Sequence, residues 1–258
     1  MQKKYQTLLQ HSPAWLLGLG FILIWELAAR AGWLPRFILP APSAIAKVYV
    51  NDWQALWQNA QVTLTQAWLG LFIGISLAFS LAIIMDMFGW VNRAIYPLLI
   101  VSQTVPTVAI APILVLALGY GMTPKIVLVV MTTLFPMVIA LLNGFAHADQ
   151  AAIQLLELMG ANRLQILRHV KFAQALPYFF SGLKVSVSYA FVSSVVAEWL
   201  GGFEGLGVYM IQSRKAFSYD KMFAVIVLIS VLSLVFMGLV SVLERLSLPW
   251  RYQEKKRT

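Results

Sequence analysis

The chain has 258 residues, of which 60% are hydrophobic and 11% charged, with a mean hydropathy of +0.78 and a formal net charge of +9. A soluble domain carries about 25% charged residues, so water would not solvate this surface, whereas lipid would. The absence of cysteine excludes disulfides, thiolate metal sites, cysteine nucleophiles and palmitoylation. The excess of positive charge is read as charge that orients membrane helices and attracts anionic lipid, with no nucleic-acid partner.

Six apolar segments are long enough to cross a bilayer, near 14–33, 61–85, 94–119, 124–145, 177–200 and 222–245. Alternating barrel patterning is absent, and an open sheet leaves backbone groups unpaired in lipid. The expected fold class is therefore an all-α membrane protein of about six transmembrane helices. Lys3 and Lys4 precede the first run, but that run is long and carries Glu26 and Arg30. It also ends without a small-residue cleavage site, so it is read as an uncleaved span. Glu26 and Arg30 are four apart and are expected to pair.

After the first span, Pro35, Pro40 and Pro42 enforce an extended stretch. Ser43 is expected to cap a short interfacial helix carrying Ile45, Val48 and Trp53. With both ends inside, the inner side holds eleven Lys and Arg residues and the outer side seven, and Lys184 lies within span five. This bias favours two cytoplasmic termini. Lys184 is expected to snorkel at the inner end of its span. No internal repeat is evident, unlike the duplicated halves of many secondary transporters.

No chemistry-bearing constellation emerges. His11, His147 and His169 have no metal-ligand spacing, and no Gly-x-Ser-x-Gly elbow or phosphate-binding loop exists. The Gly201–Gly207 stretch follows a membrane span rather than a strand, so a tight turn is the better reading than a dinucleotide fingerprint. Small polar residues concentrate in span five. Gly182, Ser186, Tyr189 and Ser193 recur on one helical face. Close helix packing explains such a stripe; a translocation route shared with Gln103 and Thr107 of span three explains it too. Glu198, near the outer end, is a gate or a structural anchor.

The most polar interior stretch is 146–176. Gly160 is expected to end one helix in the left-handed conformation, and Asn162 to cap a second, short one. On that helix Leu164, Leu167 and Arg168 share a face, with Ile166 and Val170 close by. Such a face packs either on its own membrane domain and lipid or on a partner protein.

This segment resembles the EAA loop of binding-protein-dependent ABC import permeases. Gly160 fits the glycine of that pattern and Val170 the isoleucine ten positions later. Gln154-Leu155-Leu156 stand at the Glu-Ala-Ala positions, and Phe172-Ala173 stand at Leu-Pro. Leu34-Pro35 with Ile38–Ser43, Gln103–Pro112 followed by Gly119-Tyr120-Gly121, and Ala197-Glu198 with Gly205-Leu206-Gly207 resemble the nitrate, sulfonate, taurine and aminopyrimidine branch. The resemblance covers nearly the whole chain.

What it implies is a type I importer permease in the bacterial inner membrane. Residues 1–55 would form the first helix and extracytoplasmic lead-in, 56–245 the permease core with the coupling loop 146–176, and 246–258 a basic cytoplasmic tail. Two permeases, often identical, would sit on two ATP-binding subunits, and an extracytoplasmic binding protein would deliver a small organic or anionic solute. Gly160, Ala161, Asn162, Arg163, Leu164, Leu167 and Arg168 would form the coupling contact. Gln103, Thr107, Ser186, Tyr189, Ser193 and Glu198 would belong to the path. The chain itself would hold no cofactor and catalyse no reaction, ATP and Mg being held by the partner. An ion-coupled carrier or channel is the alternative, but such carriers place ionisable groups in mid-membrane, where this chain has almost none.

Overall fold

The computed structural model describes residues 2–33, 35 and 37–249, with side chains described from Leu16 onward. Leu34, Arg36, residues 250–258 of the basic tail and the side chains of Lys3, Lys4 and His11 lie outside the described residues. Helix is the only regular secondary structure among the described residues apart from connecting turns, as the composition leads one to expect. The helices are α1 (Gln2–Arg30), α2 (Pro42–Asn51), α3 (Trp53–Met87), α4 (Gly89–Thr104), α5 (Thr107–Leu118) and α6 (Thr123–Ala146). They continue as α7 (Gln150–Leu158), α8 (Arg163–Ile166), α9 (Phe172–Gly201), α10 (Leu206–Lys215) and α11 (Tyr219–Ser247).

Among the described residues, α3, α6, the continuous helix Arg163–Gly201 and α11 are each long and apolar enough to cross a membrane. The third expected span is instead two helices, α4 and α5, bent by 100°. Proline is the reason. Pro106 has no N–H to continue the ladder and disfavours helical backbone at the residue before it. Val105 accordingly turns extended, at φ −77° and ψ 121°. A second departure concerns the fifth span. A π-helical turn at Leu167–Lys171 joins α8 to α9, so the short helix and the span form one rod of 39 residues.

The chain divides into two compact units. One comprises residues 1–58 and 209–228. Within it, Glu26 pairs with Arg30 and also accepts the Ser43 backbone N–H at 2.9 Å. Ser43 is therefore not the cap of α2. Ala41 holds that position, Pro42 begins the helix with its preset φ, and Trp53 opens α3 instead of closing α2. In the same unit the Tyr49 hydroxyl donates to the Ala224 carbonyl at 2.6 Å, and Lys221 pairs with Asp52 at 3.0 Å.

The other unit comprises residues 59–208 and 229–258. Its centre is the contact between α6 and α9, made close by glycine. A Cβ on Gly182 would lie 2.6 Å from the Ala140 Cβ, and one on Gly144 would lie 2.7 Å from the Ala175 Cβ. α3 approaches α6 the same way, with Gly70 facing Val129 and Gly74 facing Thr133. Small residues let membrane helices gain dispersion contacts over their whole length. Around this seam Met85, Met137, Leu141 and Leu167 are fully buried.

Lys184 does not snorkel freely. Its ammonium pairs with Glu244, so α9 and α11 share one ion pair. Neutralising each other is the economical arrangement for two charges in helices of this apolarity.

The seam predicts a contrast between two glycines. Gly182→Ala forces a methyl into Ala140 and should cost about 1–3 kcal/mol, as overpacking does. Gly238→Ala meets open space and should cost nothing. Thermal unfolding of the purified variants in detergent measures the difference, and equal midpoints would refute the packing assignment.

Candidate functional site

α4, α5, α6 and α9 enclose a cavity of about 220 Å³. The break in the third span creates it, because Ser102, Gln103, Val105 and Thr107 lie on either side of the bend and all line the wall. Thr132 of α6 and Tyr189 and Ser193 of α9 add polar groups, while Leu128, Met131, Phe135 and Val192 add apolar surface. No Asp, Glu, Lys or Arg is among the lining residues.

Most of the hydroxyls are already engaged. Ser102 Oγ donates to the Leu99 carbonyl at 2.7 Å, Thr132 Oγ1 to the Val129 carbonyl at 3.0 Å, and Ser193 Oγ to the Tyr189 carbonyl. Thr132 and Ser193 also meet across the helix seam at 2.8 Å. Folding back on the preceding turn satisfies a hydroxyl inside an apolar helix and leaves its lone pairs outward. The cavity therefore offers weak, neutral hydrogen-bonding groups on a largely apolar wall.

The stripe expected along span five divides in two. Tyr189 and Ser193 face the cavity, together with Gln103 and Thr107. Gly182 and Ser186 do not. Gly182 packs on Ala140, and Ser186 is fully buried with its Oγ donating to the Thr133 carbonyl at 3.1 Å. The physical reason is that the face toward α6 includes both: its N-terminal half is dry packing, and its C-terminal half lies where the α4–α5 break opens space.

Glu198 is 1% exposed and does not face the cavity. Its carboxylate accepts from Thr63 Oγ1 at 2.8 Å and from the Gly207 N–H at 2.7 Å. Thr63 Oγ1 in turn accepts the Leu206 N–H at 2.9 Å, and Asn59 Oδ1 accepts the Gly205 N–H at 2.9 Å. Three consecutive amides at the start of α10 are thus taken by side chains from α3 and α9. The orphan donors of that helix end are satisfied, and the carboxylate meets its positive dipole. Gly205 must be glycine, for its φ is +120° and a Cβ would collide with the Glu198 carboxylate. Glu198 thus joins α3, α9 and the start of α10 by hydrogen bonds. Lys125, 5% exposed, lies within electrostatic reach of Glu198 and Glu204.

At the opposite end of α9 lies the polar loop. Asp149 caps α7 by accepting the Ala151 N–H, and Gly160 reverses the chain at φ +81°. Asn162 forms a complete capping box with Gln165. Ala161, Ile153, Ile166 and Val170 form a small core. Leu164 and Arg168 are exposed, but Leu167 is 1% exposed and does not share their face. At about 100° per residue Leu167 lies a full step of rotation from Arg168 and on the side of Ile166 and Val170, which are buried. Arg163 donates to the Met87 carbonyl at 3.1 Å.

The family described as binding-protein-dependent transport system inner membrane component matches residues 70–247. The chain belongs to this family. It is a permease component of an ABC importer and a multi-pass membrane protein. A probable ABC transporter permease of Haemophilus influenzae is 36% identical over 86% of this chain and 90% of its own. The formylaminopyrimidine transport permease ThiX of Halalkalibacterium halodurans is 33% identical over 98% of this chain and 100% of its own. Among solved structures, a chain of the inward-facing MetNI methionine ABC transporter superposes with a TM-score of 0.69 at 17% identity, covering 76% of this chain and 98% of that one. That likeness establishes the type I importer permease fold.

Sequence reasoning did not single out Asn59, Thr63, Ser102 or Thr132. Asn59 and Thr63 are polar and one turn apart at the start of an apolar run, which is a usable signal for a buried polar contact. Their partners, some 140 residues away, carry no signal of the pairing.

The cysteine-free permease allows a direct test of the cavity wall. Gln103→Cys and Tyr189→Cys should react with a water-soluble thiol reagent, and Ser186→Cys should stay inert. Equal labelling of all three in membranes would refute the division of the stripe.

Proposed function

We propose that two copies of this permease form a translocation path lined in part by Gln103, Thr107, Tyr189 and Ser193. An ATP-binding subunit docks on α7, α8 and the turn between them. ATP and Mg bind that subunit, and this chain holds no cofactor. A substrate-binding protein delivers the solute on the outer face. Residues 1–55 serve as the first helix and lead-in, 56–245 as the working core, and 246–258 as a basic cytoplasmic tail. Both termini are cytoplasmic, in keeping with the Lys and Arg bias.

One observation carries the docking reading. Around the Gly160 turn, Leu158 is 87% exposed, Met159 74% and Leu164 57%, with Arg168 exposed beside them. Apolar side chains this bare, grouped on a polar loop, support a surface that another protein covers. Ala161, Asn162 and Arg163 shape that surface, and Leu167 supports it from beneath. ATP-driven closure of the partner pair would then displace the loop and reverse the access of the cavity.

The solute is read as a small organic molecule. The end-to-end similarity to a formylaminopyrimidine permease favours a pyrimidine cargo over a sulfonate, taurine or nitrate. The uncharged cavity wall is compatible with it.

Gly160→Val tests the docking surface. The left-handed backbone costs an L-residue about 1–2 kcal/mol and a β-branched one more, while open space around the site spares the rest of the fold. The variant should insert normally yet lose co-purified ATPase or its coupled hydrolysis. Unchanged values for both would refute the reading. Orientation has its own check. Reporters after Thr258 and within α7 should both read cytoplasmic, and one near Ala216 should read external. A cytoplasmic signal at Ala216 would overturn the topology.

A further inference from the structure

The docking loop is tied to the inner end of α3 by two polar contacts. Lys171, the last residue of the π turn, donates to both carboxylate oxygens of Asp86 at 2.7 and 2.9 Å. Arg163, the first residue of α8, donates to the carbonyl of Met87, the last residue of α3. That carbonyl has no partner within its own helix. The Lys171 and Asp86 side chains are 22% and 17% exposed, beside a polar cavity of about 410 Å³. An isolated, partly solvated ion pair contributes modestly to stability. What a two-pronged contact supplies is geometry.

The far ends of the same two helices are joined as well, by the Thr63–Glu198 bond. Thr63 and Asp86 lie about 35 Å apart along α3 at helical rise. α3 and α9 therefore run antiparallel, bonded at both extremes. α9 is continuous with the docking helix and will follow any displacement of the loop. α3 has no such covalent link.

We propose that Asp86 and Lys171 are positioning residues whose ion pair makes α3 move with α9 when the loop is displaced. Movement at the loop then reaches the Glu198 clamp and the cavity wall with both helices in register. Without the pair, the loop end of α9 moves apart from that of α3 while the Glu198 bond holds the far ends, and the displacement dissipates. This inference rests on the docking reading above.

The test uses the intact complex with its ATPase in nanodiscs, carrying Gln103→Cys as reporter. The readout is its rate of labelling by a water-soluble maleimide, without nucleotide and after trapping with Mg-ATP and vanadate. With the ion pair intact, the rate should change about tenfold on trapping, a coupling of ordinary allosteric size. Asp86→Asn and Lys171→Met should each flatten that change while retaining insertion and bound ATPase. The double variant Asp86→Lys with Lys171→Asp should restore it, a rescue that a merely structural role would not give. No change with the pair intact would sink the docking-driven reading itself. A change that persists in both single variants, or a swap no better than either, would overturn the ion-pair role and leave that reading standing.

Discussion

Everything in this permease depends on how closely α6 and α9 approach. Lipid tails are as apolar as leucine, so no hydrophobic force draws two membrane helices together. Contact must be gained through dispersion, which fades within a fraction of an ångström. Gly144 and Gly182 each remove one methyl where the partner presents Ala175 or Ala140. Only at that separation can Thr132 reach Ser193, and Ser186 the Thr133 carbonyl. The cavity wall and the dry seam are thus consequences of the same two glycines.

Polar groups then fix what packing leaves free. Packing alone permits sliding along the helix axis. Bonds at the ends do not. Glu198 gathers α3, α9 and the start of α10 at one extreme, and Lys184 with Glu244 ties α9 to α11. Each of these three groups has an ion partner or hydrogen-bond donors, which is what a low-dielectric setting demands of any ion it contains.

Much of this was legible from residues alone. Of the six expected spans, apolar run lengths located four as whole helices and a fifth as the bent α4–α5 pair among the described residues, because the thickness of the bilayer sets helix length. Gly160 and Asn162 announced a helix end and a helix start through backbone and capping chemistry that is local. What escaped was non-local or cumulative. Ser43 is a good cap by type, yet Glu26, seventeen residues earlier, takes its amide. Leu167 looked like a neighbour of Leu164 because three residues separate them, yet it stands at the boundary of that face, beside buried Ile166 and Val170, and only the packing decides which side such a residue joins. Ser186 and Ser193 share a face by spacing. Only the break at Pro106 separates a packed residue from a lining one.

That break has a consequence for how such a protein diversifies. Where α4 stops and α5 begins, the helical ladder is interrupted, and the main chain relies on short local bonds, Val105 N–H to the Ser102 carbonyl and Ala109 N–H to the Pro106 carbonyl. Ser102, Val105 and Thr107, which flank that interruption, line the cavity. Main-chain polarity cannot be deleted by substitution. Side chains around it are therefore free to vary with cargo size and shape, while a wettable point in the barrier persists in every descendant that keeps the proline.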